Sequence, residues 1–309
     1  MKFPLGLYLI WFVAIPSITA QAPVESEKEE LPYSISDTIP FELTKGNNIK
    51  FTTLLNGRDT ITLFFDTGGT ELVMRREAIL QKLTLPDSTK AKIEDGPIAY
   101  ISDGNSLQLG KRNWDSLSLY SARIGPKETD GHFGWDLFEG RVVELNYDRQ
   151  LMIIHEKLSE VPEGYTKLKI MYTHTLFSVN GTIKVNGKEY KGPFLFDSGF
   201  QRALILDKDL RQEIDFPKDL PVLKEQKLKN SAGDEFINQV VMTDQVCMGT
   251  VCMDSVPVLL LNTPNPARFP IHIVGNELLK RFNTIFDFQE GNVFLKPNGL
   301  KEVPYADIQ

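Results

Sequence analysis

The chain has 309 residues, 41% of them hydrophobic, and a formal net charge of -7. That apolar share supplies a sizeable core for one large domain or two lobes of common size, and the negative balance excludes nucleic acid, whose phosphates need a basic surface. The histidines His132, His155, His174 and His272 are scattered without metal-ligand spacing, so neither a metal nor another cofactor is expected.

The first 20 residues read as a secretory signal. Lys2 precedes an apolar run from Phe3 to Ile15, and the small-residue end Ser17-Ile18-Thr19-Ala20 offers a cleavage point after Ala20. The run is too short, and broken too soon by Pro16, for a stable membrane span of about 20 residues. The expected mature protein is exported, periplasmic or secreted. Residues 21–38 begin with charged, proline-broken sequence and read as a flexible leader. Two lobes are expected beyond it, at 39–160 and 161–309, joined near Glu160 to Lys167.

In the first lobe, LLNGRDTITLFFDTG predicts a hairpin that turns at Asn56-Gly57, because both residue types accept the positive φ of a tight hairpin turn. Its return strand delivers Asp66-Thr67-Gly68. A short helix is expected over Arg76 to Leu83. Strand-like sequence with a flap-like turn is expected near Ala99 to Asn105, where Tyr100 is a candidate for touching substrate. His132-Phe133-Gly134 then leads into a short helix, Asp136 to Gly140, and a hairpin through Leu145 to Ile154.

The second lobe repeats this order. VNGKEYKGPFLFDSG turns at Asn186-Gly187 and delivers Asp197-Ser198-Gly199 followed by Phe200, also a substrate-contact candidate. The Asn-to-Asp spacing is one residue longer than in the first lobe, a difference that a bulge would absorb. A helix over Asp207 to Ile214, a second flap near Ser231 to Glu235, the turn Ile273-Val274-Gly275, a helix over Asn276 to Phe282 and a closing hairpin follow. Asn180-Gly181-Thr182 has the form of a glycosylation acceptor, which a hairpin turn explains equally well. In QVCMGTVCM, a two-residue turn at Gly249-Thr250 sets Cys247 opposite Cys252, where an oxidising compartment favours a structural disulfide over two free thiols. The whole reads as an all-β protein with short helices.

A lone Asp-Thr-Gly is ordinarily a turn. Two copies at equivalent places of a duplicated chain are different, because halves packed about a pseudo-two-fold axis bring Asp66 and Asp197 together. Two touching carboxyls cannot both ionise, so one is a base while the other holds a proton. Such a pair activates water against a carbonyl without a covalent intermediate. Gly68 and Gly199 lack the β-carbons that would keep the loops apart, and the Thr67 and Ser198 hydroxyls can bond across the junction.

These two triplets, each after a hydrophobic strand and each followed later by a hydrophobic-Gly turn, resemble the aspartic protease superfamily. The likeness covers Ile39 to Pro297 and is to single-chain, two-lobed members with retropepsin-like or pepsin-like lobes. It implies two homologous closed β-barrel-like lobes, a cleft between them, hairpin flaps, an extended peptide or protein substrate, and aspartic endopeptidase activity with Asp66 and Asp197 catalytic. Pepsin-like members carry Ser or Thr after the triplet, where this chain has Gly69 and Phe200, and His132 replaces a usual aliphatic residue. Fewer hydrogen bonds to the ionised form would raise the pKa values of the pair and move the optimum toward weakly acid or neutral pH. The rival readings are a catalytically silent relative that binds peptides, which bulky Phe200 would favour, and a structural envelope protein. No Gly-x-Ser-x-Gly elbow, phosphate loop, dinucleotide fingerprint or zinc-protease motif is present.

Overall fold

The computed structural model describes residues 33–306, apart from 91, 92, 94–97, 124, 159 and 230–234. The expected signal, the leader up to residue 32 and the tip of the second flap lie outside the described residues.

The first half runs β1 (Tyr33–Pro40), β2 (Glu42–Leu43), β3 (Ile49–Leu55), β4 (Asp59–Asp66), β5 (Leu72–Arg75), α1 (Arg76–Lys82), α2 (Asp87–Lys90), β6 (Ile98–Leu109), β7 (Arg112–Ala122), β8 (Gly131–Gly134), a 3-10 turn (Trp135–Phe138), β9 (Val142–Asn146) and β10 (Leu151–Leu158). The second half runs β11 (Thr166–Lys169), β12 (Met171–Thr173), β13 (Leu176–Val185), β14 (Lys188–Asp197), β15 (Leu204–Leu206), α3 (Lys208–Glu213), β16 (Val222–Lys229), β17 (Glu235–Met248), β18 (Val251–Leu260), β19 (His272–Gly275), α4 (Asn276–Leu279), β20 (Phe282–Asp287) and β21 (Asn292–Pro297).

Each half closes on itself. The first sheet has the order β2-β3-β4-β8-β5-β7-β6 and is sealed by β3 pairing with β6. The second has the order β12-β13-β14-β19-β15-β18-β17-β16 and is sealed by β13 pairing with β17. Closure pairs the edges of β3 with β6 and of β13 with β17, which would otherwise invite pairing with other chains, and leaves β2, β12 and β16 outside the seams. A third sheet, β1-β10-β9-β20-β21-β11, takes strands from both halves and joins them through the antiparallel pair β9–β20.

Both Asn-Gly turns form, with positive φ at Asn56, Gly57, Asn186 and Gly187. The spacing difference has another origin than a bulge. The first hairpin leaves residues 56–58 unpaired at its tip and the second only residues 186 and 187, while β14 is 10 residues long against 8 for β4. Asn180 to Thr182 lies within β13 rather than at a turn. Residues 33–38, expected as the end of a flexible leader, belong to β1. Segment 99–105 is strand with register shifts rather than a hairpin tip. The legs of the second flap do form a hairpin, paired up to Lys229 and Glu235. Cys247 and Cys252 are register partners across β17–β18 and are bonded as a disulfide.

Aromatic rings fill the core. Phe65, Phe133 and Phe138 pack together in the first half, and Phe177, Phe286 and Phe288 in the second. Trp135 crosses over: its ring lies 5.0 Å from that of Phe288 and its Nε1 donates to Thr175 O at 3.0 Å. In the same direction, Tyr147 Oη donates to Asn276 Oδ1 at 2.8 Å.

Arg281, just after α4, is fully buried. Its Nη2 donates to Glu277 Oε1 at 3.1 Å, its Nη1 donates to the carbonyls of Leu300, Lys301 and Val303, and Tyr305 stacks on the guanidinium at 3.7 Å. This single side chain pins the segment after β21 onto α4. Arg281→Ala strips the buried Glu277 carboxylate of a partner and is expected to cost about 3–5 kcal/mol, measured by urea unfolding; a loss below about 1 kcal/mol contradicts this role.

Candidate active site

Asp66 is the last residue of β4 and Asp197 the last of β14. In each half that strand runs parallel to a hydrophobic-Gly strand, with Asp66 in register with Gly134 and Asp197 in register with Gly275. Alternation along a strand places Phe64 on the same face as Asp66, and Leu195 on the same face as Asp197. The two aspartates face each other and hydrogen-bond through their side chains.

The neighbouring glycines permit the approach. A β-carbon at Gly68 would lie 2.4 Å from Asp197 Cγ, and one at Gly199 would lie 2.6 Å from Asp66 Oδ2. Each triplet therefore lays its glycine against the carboxylate of the other, where any larger residue would collide.

The hydroxyl residues lock this arrangement reciprocally. Thr67 N donates to Ser198 Oγ at 3.0 Å, and Ser198 N donates to Thr67 Oγ1 at 3.0 Å. Thr67 Oγ1 in turn donates to Phe196 O at 2.8 Å, and Ser198 Oγ to Phe65 O at 2.7 Å. Both side chains are buried, so each hydroxyl satisfies a main-chain donor and a main-chain acceptor that have no water in reach.

Main-chain donors serve the carboxylates. Gly68 N donates to Asp66 Oδ1 at 2.9 Å and Phe200 N to Asp197 Oδ1 at 2.8 Å. These bonds favour ionisation but are outweighed. Burial pushes Asp66 up to about 6, and burial together with repulsion from Asp66 raises Asp197 well above the usual carboxylate range. Both residues still keep part of their surface open to solvent. The protons belong to the pair rather than to one residue.

The two walls beside the pair differ. On the second-half side, the Phe200 ring packs over Gly275 and against a cluster that includes Leu195, Ile205, Ile271 and Ile273. On the first-half side, the corresponding position is Gly69, and His132 takes the place of Ile273. Its ring packs against Phe64 at 5.1 Å, and burial lowers its pKa to about 4 against the opposing pull of Asp136, so the imidazole is neutral above that pH.

Tyr100 is 51% exposed, donates to Asp103 Oδ2 at 2.7 Å and meets the ring of Tyr120. None of these contacts reaches the carboxylate pair. Asn48 escaped the sequence reading. It is fully buried and donates from Nδ2 to Ser198 O at 3.0 Å and to Gly199 O at 2.9 Å. A polar side chain at the foot of an apolar strand was the only available signal.

The fold is similar to that of the aspartic proteinase from Irpex lacteus, with a TM-score of 0.53 and 12% identity over 87% of this chain and 99% of that one. No protein-family model matches the sequence, and no curated protein does. The chain has the aspartic proteinase fold: all-β, with two closed barrel-like lobes and few, short helices.

The raised pKa values carry a stability consequence. An unfolded aspartate ionises near 3.9, whereas the folded pair holds its first proton to about 6. The pair therefore costs nothing below pH about 3.5, costs progressively more as pH rises toward the folded value, and costs most above it. Asp66→Asn is expected to stabilise the fold by about 1–3 kcal/mol at pH 7 and by nothing at pH 3, read by chemical denaturation at both. An equal effect at the two pH values contradicts the shift.

Proposed function

We propose that the protein is an exported aspartic endopeptidase. The observation that carries this reading is the buried carboxyl pair, Asp66 and Asp197, held at the ends of two equivalent strands with one face toward solvent. After its first proton leaves, the pair contains one ionised and one protonated group. The ionised carboxylate takes a proton from water as that water attacks the peptide carbonyl carbon, and the protonated group donates to the carbonyl oxygen. Collapse of the tetrahedral intermediate breaks the C–N bond as the newly protonated carboxyl gives its proton to the departing nitrogen and the other, now ionised, carboxylate takes one back from a hydroxyl of the intermediate, so the carbonyl re-forms and the pair returns to one protonated and one ionised group.

Phe200, which could have blocked the pair, supports this reading through its placement: its ring lies over Gly275 among apolar neighbours while its N–H serves Asp197. It offers an apolar wall to a substrate side chain. The Cys247–Cys252 disulfide supports export, since such bonds persist in oxidising compartments; N-terminal sequencing of the exported protein is expected to begin at Gln21.

Incubation with a mixed peptide pool, read by mass spectrometry, tests the activity. Cleavage is expected in the parent and a loss of at least about a thousandfold in Asp66→Asn and in Asp197→Asn, since either change removes the acid or the base. Because the pair has no ionised member until pH approaches about 6, the rate should climb through that region. A maximum near pH 2, or cleavage that survives both substitutions, contradicts the proposal.

A further inference from the structure

Asn48 belongs to the first half, yet its side chain bonds entirely to the loop that carries Asp197. Besides the two bonds from Nδ2 to Ser198 O and Gly199 O, its Oδ1 accepts from Gln201 Nε2 at 2.7 Å, which orients the amide. The turn that presents it is closed by Thr44 N donating to Asn48 O at 2.9 Å and Asn48 N donating to Thr44 Oγ1 at 3.0 Å. That turn is fastened to α4: Lys280 Nζ donates to Asn47 Oδ1 at 2.9 Å, Asn47 Nδ2 donates to Glu277 Oε2, and Asn276 Nδ2 donates to Asn47 O.

Ser198 O and Gly199 N are the two ends of one peptide unit. The carbonyl end receives the Asn48 amide, and the N–H end faces both carboxylates. Gly199 also packs against Asp66, where a β-carbon would lie 2.6 Å from Oδ2, so a small rotation of this peptide would be felt at the pair. Hydrogen bonds in series through one peptide unit polarise each other in a buried setting.

We propose that Asn48 is a positioning residue of the carboxyl pair: its amide grips the Ser198–Gly199 peptide from behind, aims the Gly199 N–H at Asp66 and Asp197, and strengthens it as a donor. This rests on the reading of the pair as the hydrolytic centre. The charged and titratable groups around the loop are Asp66, Arg202 directly after Gln201, His132 across Gly69 on β8, and Glu277 on α4 and Lys280 at its C-cap behind Asn47. Of these, Asp66 lies against Gly199 and its N–H, while the carbonyl end of the peptide is served by Asn48.

Asn48→Leu removes the donor, and Asn48→Ser keeps a small polar residue that falls short of the carbonyls. Both are expected to move the acid limb of the kcat/KM profile up by about half a pH unit, about threefold in rate on that limb, with KM nearly unchanged. Gln201→Met, which leaves both donor bonds in place, is expected to move it less. The ¹³Cγ shifts of labelled aspartates titrate the pair without relying on turnover and should show the same displacement. A folded Asn48 variant whose carboxyls titrate as in the parent overturns the proposal, even if its melting temperature has dropped; Asn48→Ser decides if Asn48→Leu does not fold. A parent that cleaves no peptide refutes the hydrolase reading instead, and the carboxyl titration still decides the role of Asn48.

Discussion

The structure depends on the close contact of two short loops, and the reciprocal bonds between Thr67 and Ser198 make that contact possible. Each hydroxyl accepts from the other loop's main chain and donates to the strand that delivers the other aspartate. With those four polar groups satisfied, two glycines can lie against two carboxylates at a distance that water would otherwise occupy. The electrostatic cost of that contact is substantial, as the raised pKa values of both aspartates show. The rest of the fold offsets it through the aromatic cores of both halves, the sheet they share, and the bonds that Trp135 and Tyr147 donate across the junction.

The duplication is not a perfect copy, and its departures fall near the pair. Gly69 and Phe200 occupy equivalent places and give one open and one apolar wall. His132 and Ile273 repeat the contrast, with a neutral imidazole on one side and an aliphatic chain on the other. Asn48 clamps the second loop from the first half, while Trp135 reaches from the first half to Thr175 at the start of the second. A symmetric pair of carboxyls thus sits in an asymmetric setting.

Local signals made much of this legible in advance. Asn56-Gly57 and Asn186-Gly187 identified both hairpins because few other residues accept their positive φ. The Gly249-Thr250 turn set the register that pairs Cys247 with Cys252. The four expected short helices all have counterparts, and among the described residues α2 is the one helix that was unforeseen. What escaped was non-local. Nothing in β9 or β20 alone says that they pair with each other in a shared sheet. Asn48 looks like any loop asparagine until the fold brings it to Ser198, 150 residues away in the chain. The segment 99–105 carried turn-forming residues that strand β6 absorbs as register shifts, including Gly104 at positive φ.

The central claim is that Asp66 and Asp197 share a proton at a pH where isolated aspartates hold none. Counting protons tests it directly, by comparing potentiometric titrations of the parent and of the Asp66→Asn, Asp197→Asn double variant between pH 3 and 8. The parent should still carry at least one extra proton at pH 5, with the first released near pH 6. Release of both protons with midpoints near pH about 4, the behaviour of ordinary carboxyls, would contradict the account.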